Sequence, residues 1–312
     1  MEDTMLVRMG DEARAYAAQS KSKETKRAYR TDWGAWERWA DARAVQALPA
    51  APEDLARYLA ESAQRLRVAT LQRRIASIAQ AHALAGHESP TRHPMVQVVM
   101  QGIRRAHGVA QKGKAPVSVA DLRVMVASQQ GHGLRGLRNR AVILLGFAAA
   151  LRRSEIVALD TEHLAWTDAG LVLTIARSKT DQEGAGAMVG VPYGSTLETC
   201  PVRTLRQWLD QAGIASGAVF RTVDRHGKVV NNRMAARTVA AVVKEAVAAT
   251  GKGPAAFGAH TLRSGLCTAA AERGVSERSI AAVTRHKSMA VLRRYIKVGN
   301  LFHDHPSAQI GL

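Results

Sequence analysis

Two cysteines in 312 residues, Cys200 and Cys267, supply no disulfide framework and no metal-ligand spacing. Both read as small buried apolar side chains. The chain also lacks any run of about 18 apolar residues and any basic-then-apolar leader, so neither a membrane span nor a secretory segment is expected. The expectation is a cytoplasmic protein, bacterial or phage-encoded. There is no P-loop, no zinc-type Cys/His set and no carboxylate cluster, so no cofactor and no metal are expected. Acidic residues are scarce too: 26 Asp and Glu stand against 44 Lys and Arg, a net charge of +18. Such an excess points to a polyanionic partner, because Lys and Arg gain affinity by displacing counterions from phosphates. Nucleic acid leads, ahead of an anionic membrane surface.

What is present is ample apolar material, 46% of the residues, enough for two packed cores. The N-terminal third reads as helices punctuated by proline and glycine, with no alternating strand pattern before about residue 160. Ser22 caps a helix through about Arg43 whose Tyr29, Trp33, Trp36 and Ala40 form one apolar face. Pro52 opens a second helix with Leu55 and Leu59. Leu71, Ile75 and Ile78 mark a third, ending near Gly86, and Val96, Val99 and Ile103 a fourth after Pro94. Residues 62–115 carry nine basic side chains against the single acid Glu88. The ordinary fate of such residues is a solvated face. Their helical clustering favours phosphate contact, with Arg65, Arg67, Arg73, Arg74, Arg104, Arg105, Lys112 and Lys114, together with Lys26 on the first helix, as the candidates. Gln72, Arg73 and Arg74 are placed to meet a groove.

The basic, glycine- and proline-containing tract from Gln111 to Pro116 reads as an interdomain linker, and Ser118 caps the next helix. Two domains joined by a short basic tether suit a C-shaped clamp around a duplex. In the second domain an apolar helix over Ala141–Ala150 leads into Leu151-Arg152-Arg153-Ser154-Glu155. Arg152 and Glu155 lie one turn apart among apolar neighbours, so at least one of the charges is buried or lines a cleft. A turn at Asp168-Ala169-Gly170 and flanking alternating segments predict a three-stranded antiparallel sheet, with Lys179 on the loop before its last strand. Helices are expected near Val202–Ala212 and Asn232–Ala249. His260 and Arg263 fall on one face of a further helix, and His286 just precedes a helix bearing Tyr295 nine residues on.

Each motif alone is weak: an H-x-x-R pair arises by chance about once in such a composition, and His132 with Arg135 is a second one. Core packing is the ordinary reading of a lone His or Tyr, and solvation that of a loop Lys. The ordered set Arg152, Lys179, His260, Arg263, His286 and Tyr295, with its spacings and flanks, resembles the tyrosine recombinase (phage integrase) family over about residues 20–300. Leu151, Arg152 and Glu155 match the family's L-R-x-x-E. Lys179 matches its hairpin lysine, His260 and Arg263 its H-x-x-R, His286 its following His or Trp, and Tyr295 its nucleophile.

The resemblance implies a mainly α protein with a small antiparallel sheet in its catalytic domain, an α+β fold. It implies tails over 1–20 and 299–312, a helical SAM-like core-binding domain over 21–110, a linker over 111–117 and a catalytic domain over 118–298. The implied activity is metal- and ATP-independent cutting and rejoining of double-stranded DNA through a 3′-phosphotyrosyl bond, with strands exchanged between two sites by a homotetramer assembled from solution monomers. The implied roles are phosphate clamping for Arg152 and Arg263, support of Arg152 for Glu155, a phosphate hydrogen bond for His286, proton transfer at the tyrosine for His260 and protonation of the leaving oxygen for Lys179. A type IB topoisomerase, which relaxes supercoils without a pair of sites, and a DNA-binding regulator with a dead site are the alternatives. A metal-dependent hydrolase using His260 and His286 lacks carboxylate or Cys ligands nearby.

Overall fold

The computed structural model describes residues 16, 20–109, 113–176, 186–286 and 288–299. The chain divides into two compact units, Met1–Lys112 and Gly113–Leu312.

The first unit is helical. The Ser22 hydroxyl accepts the Thr25 N–H at 3.2 Å and starts α1 (Lys23–Asp41). Proline occupies the first turn of α2 (Pro52–Ala63), where its missing N–H wastes no bond. It does the same for α4 (Pro94–His107), with α3 (Val68–Leu84) between them. α1 packs on α3, and α2 on α4. Their apolar faces bury Trp36, Leu55, Leu59, Leu71 and Ile78 completely. Trp36 stacks on Trp39 at 5.3 Å and meets the edge of Tyr58 at 5.1 Å. Its indole N–H donates to the Ala47 carbonyl at 2.9 Å, so the large ring is buried without an orphaned donor. His82 is also fully buried. Its Nε2 accepts the Ala50 N–H at 2.9 Å while Nδ1–H donates to the Ile78 carbonyl at 2.8 Å, which fixes the neutral tautomer. Burial holds its pKa below the usual value.

In the second unit Ser118 and Asp121 form a reciprocal capping box at the start of α5 (Val119–Ala127). The apolar helix expected over 141–150 begins earlier and ends earlier, as α6 (Gly133–Ala148). It stops because Ala150 turns to φ 48°, a left-handed conformation no helix can continue through. α7 (Arg153–Ala158) follows, then β1 (Leu164–Thr167), β2 (Gly170–Ile175) and β3 (Ala187–Pro192), which form the expected antiparallel sheet in the order β1-β2-β3. Leu171, Leu173, Ile175, Val189 and Val191 turn to the core. Gly170 is required at the β1–β2 turn: at φ 149° an added Cβ would lie 2.2 Å from the Val191 carbonyl oxygen.

α8 (Pro201–Gln211) packs on α6. One element departs from the helix expected over Asn232–Ala249. Residues Val229–Arg233 form β5, paired antiparallel with β4 (Arg221–Val223), and α9 begins only at Ala236 and runs to Ala248. The turn supplies the reason. Asp224 Oδ1 accepts the N–H groups of His226 and Lys228 at 2.8 and 2.9 Å, and Gly227 takes φ 79°. Arg233 is then held by Asp160 at 2.6 Å and by the Val157 carbonyl at 2.8 Å. The unit closes with α10 (His260–Glu272), α11 (Glu277–Thr284) and α12 (Met289–Gly299).

α10 is the hub of the site. It packs on α6 and α12, and the segment before α5 lies along its start. There the Ala115 N–H donates to the Ala256 carbonyl at 3.0 Å and the Thr261 hydroxyl to the Ala115 carbonyl at 2.9 Å. Val117 is 1% exposed, and a Cβ on Gly265 would lie 2.5 Å from its carbonyl oxygen, so only glycine admits the close approach. Residues 113–117 are thus packed into the second unit. No described helix is long and apolar enough to cross a membrane.

Candidate active site

Arg152 stands at the N-cap of α7, in extended conformation, where α6 has been stopped by Ala150. Glu155, in the first turn of α7, holds it twice: one carboxylate oxygen accepts the Arg152 backbone N–H at 2.9 Å and the other accepts Nη1 at 2.6 Å. The side chains are 15% and 1% exposed. A carboxylate this buried persists only if well paired. Glu155 is shared with Arg285, whose Nη2 donates to it at 2.8 Å. Burial raises the Glu155 pKa, but hydrogen bonds from Arg152 and the charges of Arg285 and Arg152 outweigh it and hold the group below the usual carboxylate value.

Arg263 projects from α10 and is 1% exposed. Its Nη1 donates to the Ala150 carbonyl at 2.7 Å, which the left-handed turn aims inward, whereas its Nη2 is buried with no hydrogen-bond partner among the described residues. An orphaned guanidinium donor beside Arg152 invites an anion. Burial, reinforced by the neighbouring charges of Arg152 and Arg285, pushes the Arg263 pKa down to about 10, which leaves it charged at neutral pH.

One turn earlier on α10, His260 is exposed, and its Nε2 lies 2.9 Å from the Tyr295 hydroxyl. Tyr295 is half-buried on α12, packed against a small cluster of Cys267, Ala271, Ile280, Leu292 and Ile296. That burial raises its pKa above the usual value. His286 sits between α11 and α12 with its ring 6.1 Å from that of Tyr295. Its Nδ1 is 2.7 Å from the Thr284 hydroxyl, which is also 2.7 Å from the Ile280 carbonyl. Burial first, then Arg263 and Arg152, push the His286 pKa down to about 4, so the ring is neutral at neutral pH.

Of the seven residues expected at the site, Arg152, Glu155, His260, Arg263, His286 and Tyr295 are linked to it by these contacts; Lys179 lies outside the described residues. A cavity of about 220 Å³ beside Glu155 is lined also by His163 and by Thr174, Ile175 and Ala176 at the end of β2. Arg285, adjacent to His286, was not singled out in the sequence, and its only signal was another arginine beside a motif histidine. Among the described residues no three His, Cys, Asp or Glu side chains gather as a metal site.

The basic candidates of the first unit divide. Lys26, Arg65, Arg67, Arg104 and Arg105 are exposed, as is Lys114 at the start of the second unit. Arg73 is exposed too, but its guanidinium is bidentate on the buried Asp32 at 2.6 and 3.1 Å. Arg74 is half-buried, donating to the Tyr58 hydroxyl at 2.5 Å with its guanidinium 5.5 Å from that ring. Lys112 lies outside the described residues.

Residues 117–300 match the model of the phage integrase family and residues 15–89 that of the phage integrase N-terminal SAM-like domain. The chain is 36% identical to an integrase/recombinase XerD homolog of Selenomonas ruminantium over 300 residues, covering 95% of this chain and 88% of the relative. It is 25% identical to the recombinase Cre of Escherichia phage P1 over 186 residues, covering 58% and 52% of the two chains. Among solved structures, a lambda integrase dimer bound to a COC′ core site superposes with a TM-score of 0.63 at 14% identity, covering 93% of this chain and 94% of that one. The XerH site-specific recombinase in a post-cleavage complex with a palindromic difH substrate gives 0.60 at 15% identity, over 83% and 71%. At these identities the structural likeness is one of fold.

Proposed function

The chain belongs to the phage integrase family of tyrosine recombinases, enzymes that cut and rejoin DNA, and on that premise we propose that it is a site-specific recombinase whose nucleophile is Tyr295. The observation that carries the reading is the 2.9 Å contact of the Tyr295 hydroxyl with His260 Nε2, one turn from the buried Arg263.

A phosphodiester repels an incoming oxygen through its two nonbridging oxygens, and permanent positive charge answers that repulsion. Arg263, with a donor lacking an internal partner, and Arg152, oriented by Glu155, clamp those oxygens. Each preorganised donor to the developing charge is worth about 3 kcal/mol. Burial keeps the Tyr295 phenol protonated at neutral pH, so attack requires a proton acceptor, which is His260 Nε2. The tyrosine oxygen bonds to phosphorus as the bond from phosphorus to the 5′ oxygen breaks. Lys179 gives its proton to that departing oxygen, and Tyr295 retains the 3′ phosphate. The Thr284 hydroxyl donates to the Ile280 carbonyl and accepts from His286 Nδ1–H, so the neutral His286 donates from Nε2–H to the phosphate only once that hydroxyl turns from the carbonyl to donate to Nδ1. The phosphotyrosyl bond conserves the energy of the phosphodiester, so attack by a 5′ hydroxyl from a second duplex rejoins the strands without a nucleoside triphosphate.

The partner is double-stranded DNA carrying defined recombination sites. Strand exchange between two duplexes needs four active sites, hence a homotetramer formed on DNA from monomers. Residues 21–110 serve as the core-binding domain and 118–298 as the catalytic domain, a two-part division in keeping with family matches over 15–89 and 117–300 and with the two compact units. Exposed Arg65, Arg67, Arg104 and Arg105 contribute sequence-independent phosphate contacts. The test is covalent trapping on a suicide duplex, in which the 5′-hydroxyl fragment diffuses away after cleavage. The full chain gives a denaturant-resistant adduct and Tyr295→Phe gives none. A wild-type chain that binds DNA but never forms an adduct refutes the reading in favour of a regulator, and relaxation of supercoiled DNA without site dependence favours a type IB topoisomerase.

A further inference from the structure

Arg285 is a residue its own backbone disfavours. It ends α11 in the left-handed conformation at φ 55°, ψ 43°, where a side chain is strained and glycine is not. Strain of this kind persists where the surroundings over-determine it. Here the surroundings are specific. The side chain is 10% exposed, and its Nη2 donates to Glu155 at 2.8 Å. Nη1 donates to the Val283 carbonyl at 2.7 Å and to the Ala149 carbonyl at 3.3 Å. The guanidinium therefore bridges the turn that carries His286 to the turn that carries Arg152, segments that are otherwise remote in sequence.

We infer that Arg285 is a positioning residue for strand cleavage, acting through Glu155 and His286 without touching the DNA; the inference rests on the function proposed above. Glu155 has one carboxylate and two guanidinium partners. Because Arg285 shares one oxygen with the Arg152 backbone N–H, the Arg152 guanidinium binds the carboxylate through a single nitrogen of its fork and keeps the rest of the fork for phosphate. The charge balance agrees. Among the described residues, three guanidiniums, Arg152, Arg263 and Arg285, surround one carboxylate, Glu155, leaving two positive charges for a transition state whose nonbridging oxygens carry two negative ones. Without Arg285 one of those charges is lost, and both turns lose their common tether.

The experiment compares the full-length wild type, Arg285→Gly and Arg285→Lys, measuring affinity for an uncleaved duplex, thermal midpoint and the single-turnover rate of adduct formation on a suicide duplex. Glycine suits the left-handed position, so backbone preference offsets part of the stability lost with the buried Arg285–Glu155 contact. DNA affinity stays at the wild-type level, because it is spread over many phosphate contacts. The adduct rate falls about 10- to 100-fold, the loss expected when reacting groups are misplaced by about an ångström. Millimolar guanidinium restores part of the rate to Arg285→Gly, a response that a purely structural role would not give. Lysine, with charge but no fork, remains at least about tenfold slow, and carries the test should the glycine variant melt early. Wild-type cleavage rates in both variants overturn this inference alone. A wild type that forms no adduct overturns the proposed function and this inference with it.

Discussion

Replacing Glu155 by Gln removes the one negative charge between Arg152 and Arg285 while keeping the side-chain volume. The wild-type carboxylate is 1% exposed and accepts at 2.9, 2.6 and 2.8 Å from the Arg152 amide, the Arg152 guanidinium and the Arg285 guanidinium. A glutamine retains one acceptor and turns an NH2 group toward a donor it cannot bond. Breaking a buried ion pair from one side costs about 3–5 kcal/mol, and the low end applies because one acceptor survives. At about 2–4 °C per kcal/mol for a unit of this size, the variant melts about 6–12 °C lower. Calorimetry of the full chain reads this as a shift of the larger unit's transition at pH 7. The pH dependence has a definite sign. The folded pKa of Glu155 lies below its unfolded value of about 4.3, so its stabilisation is complete above that value and is lost as pH falls through the folded one. The gap between wild type and variant is therefore full at neutral pH, begins to narrow as pH falls below the unfolded value of about 4.3 and closes once pH is below the folded one. The adduct rate falls as well, because Arg152 loses its orientation. A variant that melts within a degree of the wild type and cleaves at its rate refutes the buried-pair argument.

Arg263→Lys keeps a charge but cannot both bond the Ala150 carbonyl and present a second donor, so the single-turnover adduct rate drops about 100-fold with duplex affinity little changed; a loss below about threefold contradicts the clamp. The His286 imidazole titrates with a midpoint near 4 in nuclear magnetic resonance of the labelled ring, against about 6.5 for a free side chain, and a midpoint above 6 rules out the buried, arginine-flanked setting. In the first unit, His82 is buried neutral with a folded pKa below its unfolded one, so protons bind the unfolded chain more readily and stability falls as pH drops below about 6.5. His82→Gln flattens that dependence in urea titrations at pH 5 and 7, and an unchanged slope refutes it.

Features specified by local chemistry were legible along the chain. Ser22 and Ser118 mark helix starts because a hydroxyl satisfies an orphan amide within three residues, and Pro52 and Pro94 do so because the first turn needs no donor. The β1–β2 turn was legible because Gly170 is the only residue that fits there. The β4–β5 hairpin was missed, since its polar strand offers no alternation and is held by a ladder and by Arg233 reaching back to Asp160, 73 positions away. Arg73 and Arg74 read as free surface charge, yet Asp32 and Tyr58 on other helices claim them.

The order and spacing of Arg152, His260, Arg263, His286 and Tyr295 were determined by the sequence alone, as was the charge that selects a polyanion, because composition and register along a helix are properties of the chain itself. Only the tertiary structure decided that His260 contacts the phenol hydroxyl, that Arg263 keeps a buried Nη2 with no partner among the described residues, and that the His286 ring stays neutral. Those outcomes depend on burial and on partners as far apart as Glu155 and Arg285, 130 residues distant, and desolvation exists only once the chain has closed around them.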